Sequence, residues 1–223
     1  MSLQSLKIFT CRSIRTNLMF ISAQKEVRVF VVTSPGPRDG KTTAAISLAI
    51  TMAQAGARVL LVDTDMRKPR IHKSFGIKLQ IGISTAIMGD TQLLDAIVHT
   101  EIPNLDVMPC GPLPPNPAEL LHTERFRTIL AQCRQTYDKV ILDAPPTVPV
   151  TDPAIIGSMT DGVLLVLRAG HTTREAAMYA RRHLGDAGAR ILGMVINQTD
   201  KKGRGYGYGY SYYSPYGRYY RAA

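Results

Sequence analysis

The residues of this chain that could do chemistry stand at the ends of three short apolar runs. The first run leads into Thr33-Ser-Pro-Gly-Pro-Arg-Asp-Gly-Lys-Thr-Thr43. A Gly-Lys-Thr that follows a strand and opens a helix is the pattern of a phosphate-binding loop. Backbone N–H groups and the helix N-terminus hold phosphates, the lysine reaches the β- and γ-phosphates, and the threonine hydroxyl ligates Mg²⁺. Gly36, Asp39, Gly40, Lys41, Thr42 and Thr43 are therefore the residues expected to bind a nucleoside triphosphate. The regular pattern has Gly five residues before Gly40, where this chain has Pro35. Read without a ligand, the same stretch is a strand-to-helix turn.

The second run ends in Leu60-Leu-Val-Asp-Thr-Asp-Met-Arg-Lys-Pro69, which puts Asp63 and Asp65 at the carboxyl edge of a sheet, where ligands of open α/β folds bind. Alternation turns both carboxylates to one side. The third run ends in Val140-Ile-Leu-Asp-Ala-Pro-Pro146, with Asp143 in the position of an acid that orders Mg²⁺ directly or through water. Each acid alone could cap a turn. Together with the loop they make three strand ends that converge on one site.

Positioning such a set takes alternating strands and helices. Val29 to Thr33, Val59 to Val62, Leu105 to Met108, Val140 to Leu142, Val163 to Leu167 and Ile191 to Ile196 read as strands, and their near-continuous apolar character implies burial on both faces. Thr42 to Ala55 places Ala45, Leu48, Ala49 and Met52 on one helical stripe before Gly56, and Thr172 to Leu184 is a second helix. The expected fold class is α/β with a doubly wound, mostly parallel sheet over residues 28–199, preceded by a helical arm (1–27) and followed by a tail (200–223).

The tail holds eight of the ten tyrosines: Tyr206, Tyr208, Tyr210, Tyr212, Tyr213, Tyr216, Tyr219 and Tyr220. Spaced by Gly, Ser, Pro and Arg, they form no helical or alternating face, so this stretch is expected to stay disordered and accessible as a substrate. Five basic residues against Asp200 leave it at +4 within a chain of formal charge +10. An apolar run of membrane-spanning length is absent from the sequence, and so is a secretory core. Three unpaired cysteines, Cys11, Cys110 and Cys133, fit a reducing compartment, hence the cytoplasm. The five histidines have no ligand-like spacing.

The loop, the Asp-Thr-Asp-Met-Arg-Lys-Pro and Leu-Asp-Ala-Pro-Pro segments, Gly111-Pro-Leu-Pro-Pro-Asn-Pro-Ala-Glu-Leu-Leu121 and the tyrosine tail together resemble the bacterial tyrosine kinases. That family is built on the P-loop NTPase fold of the partition-ATPase type. The resemblance implies ATP and Mg²⁺ as cofactors and autophosphorylation of the tail in trans, in the control of capsule or exopolysaccharide production. It implies a catalytic set of Lys41, Asp63 and Asp65, with Thr42, Asp65 and Asp143 around the metal and Asp63 facing the incoming tyrosine. An ordinary Asp titrates near ~3.9 and a tyrosine near ~10, which favours a positioning role for Asp63 over full proton removal. Asn197, at the end of the last strand, resembles an adenine-contacting residue of the wider group; a strand-terminating turn is the alternative.

The implied partners are further copies of the chain in an oligomer or ring, a membrane polysaccharide co-polymerase or activator, and a cognate tyrosine phosphatase, with no nucleic acid. The implied place is the inner face of the cell membrane, reached through a separate activator or a membrane segment of a longer chain. Two departures stand out. Arg38 and Asp39 occupy positions that are usually Gly and Glu, so Arg38 is either strained in a φ > 0 conformation or adds a phosphate-facing charge. In the arm, Arg12 and Arg15 match the family's assembly motif, but Phe9 stands where its Glu should be. Two other readings remain: a cell-division positioning ATPase, which would carry a signature Lys where the loop opens on Pro35, and a nucleotide-controlled binder of nucleic acid or anionic surfaces through the basic tail.

Overall fold

A computed structural model describes the backbone of residues 3–199 and the side chains of residues 11–199. The tyrosine tail, and with it the expectation of disorder, lies outside these residues.

The apolar runs become the interior of one sheet. Strands β1 (Val29–Thr33), β2 (Val59–Asp63), β4 (Leu105–Met108), β5 (Lys139–Asp143), β6 (Gly162–Arg168) and β7 (Ile191–Asn197) lie parallel, and β3 (Val98–His99) pairs antiparallel with β4 at one edge. The order across the sheet is β3-β4-β2-β5-β1-β6-β7. Period-two alternation sends Val29, Val31, Leu60, Val62, Val140 and Leu142 to one face. It sends Phe30, Val32, Val59, Leu61 and Ile141 to the other.

Helices cover both faces, as a doubly wound sheet requires. On the Phe30 face lie α1 (Leu3–Gln24), α2 (Lys41–Ala53) and α3 (Ile71–Phe75). Against the other face pack α4 (Ile83–Met88), α5 (Pro117–Leu121), α6 (Glu124–Thr136), α7 (Asp152–Ser158) and α8 (Arg174–Asp186). The expected stripe of α2 is buried, and Gly56 ends that turn in the left-handed region at φ 92°. Helix α8 starts two residues later than expected because Thr173 caps it by accepting from the Ala176 N–H. Strand β3 was not expected: Val98–His99 is too short to form an apolar run. The arm is docked, with Leu18 buried and the Arg15 guanidinium donating to the Thr51 carbonyl of α2 at 3.2 Å.

Candidate active site

Strand β1 delivers the chain into the loop, which is fastened at its entrance. The Thr33 hydroxyl donates to the Pro145 carbonyl (2.6 Å), the Thr147 N–H to the Ser34 carbonyl (2.8 Å), and the Ser34 hydroxyl to the Gly36 carbonyl (2.7 Å). Arg38 is in the left-handed region at φ 68° and Gly40 at φ 97°. The strained alternative of the two drawn for Arg38 is the one found. No described residue accepts from the backbone N–H of residues 38 to 43, which leaves a run of amides at the start of α2. Such a run, with the helix dipole behind it, suits an anion.

Asp39 has a different part from its neighbours. Its buried carboxylate accepts from the Gly36 N–H (3.0 Å) and the Thr172 hydroxyl (3.0 Å) and meets His171 Nδ1 at 3.1 Å. The side chain thus holds the loop in shape and ties it to the β6–α8 connection.

Behind the loop the acids gather as the strand ends require. Parallel pairing sets Asp63 beside Asp143 on adjacent strands, and both continue the alternation of the α2 face. Lys41 Nζ lies 2.8 Å from Asp65 Oδ2 and 3.4 Å from Asp143 Oδ1. The Thr42 hydroxyl donates to Asp143 Oδ2 at 2.7 Å. Burial pulls the Lys41 pKa down, but the charges of Asp143, Asp65 and Asp63 outweigh it and hold the ammonium above its usual range. Burial raises the Asp143 carboxyl against the pull of Lys41 and Thr42.

Asp63 departs furthest from the ordinary carboxylate assumed for it in the sequence. It is wholly buried, and burial together with the neighbouring Asp143 pushes it up to about 7. The Arg70 and Ile71 N–H groups each lie 3.0 Å from Oδ2, and the Ile71 bond with the Lys41 charge offsets the rise only in part. A carboxylate near 7 is a far better proton acceptor for a tyrosine than one near ~3.9.

Further residues shape the site without having been expected in it. Arg67 makes a two-pronged contact with the buried Asp152 at the start of α7 (2.8 and 3.0 Å), fixing the segment after Asp65. The Lys68 N–H donates to Asp65 Oδ1 at 3.0 Å, and the Thr64 hydroxyl to the Asp143 carbonyl at 2.9 Å. The Thr-Asp-Pro at 151–153, a helix-start signal, was the available hint of Asp152. Thr43 is exposed on the first turn of α2. Asn197 Nδ2 donates to the Asp39 carbonyl at 2.9 Å. The side chain of Phe9 and the eight tail tyrosines lie outside the described residues.

The donor set fits a Mg-nucleotide. Among the described residues no group of three or more His, Cys, Asp or Glu side chains could hold a metal by itself. Mg²⁺ is commonly held by one or two carboxylates, a hydroxyl and substrate phosphates, which is the kind of set that Thr42, Asp65 and Asp143 offer beside the amide-lined loop. Also among the described residues, no helix is long and apolar enough to cross a membrane.

Comparison with known proteins agrees with this geometry. A family model described as an AAA domain matches residues 36–178. Tyrosine-protein kinase YwqD of Bacillus subtilis strain 168 is 36% identical over 194 residues, covering 87% of this chain and 82% of the relative. The solved kinase domain of Escherichia coli tyrosine kinase ETK superposes with a TM-score of 0.85 at 34% identity, covering 91% of this chain and 80% of that one. The septum site-determining protein MinD of Pyrococcus horikoshii, solved with Mg-ADP, shares the fold at a TM-score of 0.66 and 22% identity, over 76% of this chain and 70% of that one. The loop and the strand-end acids thus sit on a P-loop fold shared with the positioning ATPases, while the likeness over most of its length makes the chain a member of the bacterial tyrosine-protein kinases.

Proposed function

We propose that the protein transfers the γ-phosphoryl group of ATP to tyrosines of its own cluster, Tyr206 to Tyr220, from one copy of the chain to another. The observation that carries this reading is the meeting of Lys41, Thr42, Asp65 and Asp143 beside a loop of free amides, with Asp63 next to them.

Each group has a part. The amides of residues 38 to 43 and Lys41 hold the β- and γ-phosphates, and Lys41 exchanges Asp65 and Asp143 for phosphate oxygens as it does so. Thr42, Asp65 and Asp143 would hold Mg²⁺, which when bound neutralises charge on the phosphates. Asp63 orients the acceptor hydroxyl and takes its proton as the tyrosine oxygen bonds to phosphorus and the bond to the β-phosphate oxygen breaks, leaving ADP. Phosphoryl transfer asks chiefly for alignment and charge neutralisation, and these groups supply both.

Each phosphotyrosine adds about −1.5 to −2 of charge, so modification reverses the sign of the +4 tail. A tail that changes sign suits a switch of assembly between copies, acting with a membrane polysaccharide co-polymerase at the inner face of the cell membrane and reset by a tyrosine phosphatase. In this reading the switch controls capsule or exopolysaccharide production.

Mass spectrometry of the tail peptides after incubation with Mg²⁺ and ATP tests the reaction, with Lys41→Met as control. Phosphate within Tyr206 to Tyr220 in the unmutated protein alone is the expected result; steady ATP hydrolysis with unmodified tyrosines would overturn it. Mixing a Lys41→Met chain with an active chain ending at residue 199 tests transfer between copies, since only the inactive chain then carries the tail tyrosines.

A further inference from the structure

The last strand ends against the phosphate loop, and a single side chain makes the junction. Asn197 Nδ2 donates to the Asp39 carbonyl at 2.9 Å, while its Oδ1 accepts from the N–H of Gln198 at 2.9 Å. Gln198 is in the left-handed region at φ 56°, so the chain turns sharply there, just before the tail begins. The fit between loop and amide is close: a Cβ placed on Gly40 would come 2.0 Å from Asn197 Nδ2. No side chain at residue 40 leaves room for that amide, and φ 97° disfavours one as well.

The consequence for the loop follows from peptide geometry. In a trans peptide the C=O and the next N–H point in opposite directions. Holding the Asp39 carbonyl on Asn197 therefore turns the Gly40 N–H away from Asn197, and that N–H is one of the amides with no described protein acceptor. The Asp39 carboxylate is meanwhile held by Gly36, Thr172 and His171. The backbone and side chain of one loop residue are thus both clamped, and Asn197 is the clamp nearest the tail.

We infer that Asn197 is a positioning residue of the phosphate loop, aiming the Asp39–Gly40 peptide at the bound phosphates and tying it to the root of the tail. This rests on the loop being a phosphate site. It differs from a contact with the adenine ring, because a positioning role acts on the phosphates whatever base they carry. One of the two amide N–H donors and one lone pair of the oxygen are already committed within the protein.

Isothermal titration of the full chain with Mg-ATP, Mg-GTP and inorganic tripolyphosphate, for the unmutated protein and Asn197→Ala, separates the two roles. Loss of one hydrogen bond of this kind is worth about a tenfold change in affinity. The expected result is an equal loss of about tenfold for all three ligands, an unchanged ATP-to-GTP ratio, and faster amide hydrogen exchange over residues 36–43. Tripolyphosphate affinity that stays the same, whether or not the preference for ATP over GTP is lost, would overturn the inference. Binding is what is read here, so a chain that shows the expected pattern but leaves its tyrosines unmodified would keep this inference and lose the tail reaction. An unmutated chain that binds none of the three would sink both.

Discussion

Asp63 and Asp161 are one residue type at opposite edges of the same sheet, and the fold treats them in opposite ways. Asp161, just before β6, accepts from the N–H groups of Arg28 and Val29 (2.8 Å each) and from the Arg134 guanidinium (2.8 Å). Burial alone would raise its pKa, but these donors overcome it and hold the carboxyl below its usual range. Asp63 also accepts backbone N–H groups, yet it has Asp143 beside it and shares a single ammonium, Lys41, with two other acids. The amino edge closes its charges among themselves, with Arg134 also reaching Glu26. The carboxyl edge gathers more negative charge than its own side chains neutralise. That excess is what a cation brought with a triphosphate would answer, as the proposed reaction requires.

Four substitutions test the difference between the two edges. Lys41→Met should have the largest effect, lowering tail phosphorylation by about 10³-fold in a labelled-ATP assay, because it removes the ammonium that the proposed reaction uses to hold the transferred group. Asp63→Asn should lower the rate by about 10²-fold while leaving the melting temperature level or higher, since it removes a buried charge next to Asp143 and keeps an oxygen for the Arg70 and Ile71 amides. A fall in melting temperature like that of an Asp161 variant would erase the distinction between the two edges.

Asp161→Asn should do the reverse, with phosphorylation per folded molecule unchanged and stability lower by about 2 kcal/mol in urea unfolding. Because the folded pKa of Asp161 lies below its unfolded value, this contribution is complete above the unfolded range near ~3.9 and is lost as pH falls through the folded value. The stability gap between the two proteins should therefore close on acidification below about pH 4. A gap that stays constant from neutral to acid pH would mean that charge is not what Asp161 contributes. Arg38→Gly should have the smallest effect, a rise in melting temperature of no more than a few degrees, as relief of the left-handed backbone is partly offset by the freer unfolded chain.

Much of this molecule is legible in short stretches of sequence. Six strands and helix α2 follow from near-continuous apolar runs and a helical stripe, which are encoded within a few neighbouring residues and survive any arrangement of the rest. The position of the Gly-Lys-Thr loop and of Asp63, Asp65 and Asp143 was readable for the same reason, since a strand end places them whatever its neighbours. Strand β3 was not, being two residues whose pairing with β4 comes from packing at the sheet edge.

How residues far apart in sequence share space is a matter of the folded chain alone. Register across β2 and β5 brought Asp63 next to Asp143 and so moved its pKa, which no local pattern contains. Chain crossings brought Asp152 to Arg67, Thr172 and His171 to Asp39, and Asn197 to Gly40. Which elements form and which residues stand at their ends is written locally, because backbone propensity and hydrophobic period act over a few residues. The tertiary structure alone settled which ends meet, which charges go unbalanced and which amides stay free, because burial and Coulomb interaction depend on distance in space and not along the chain.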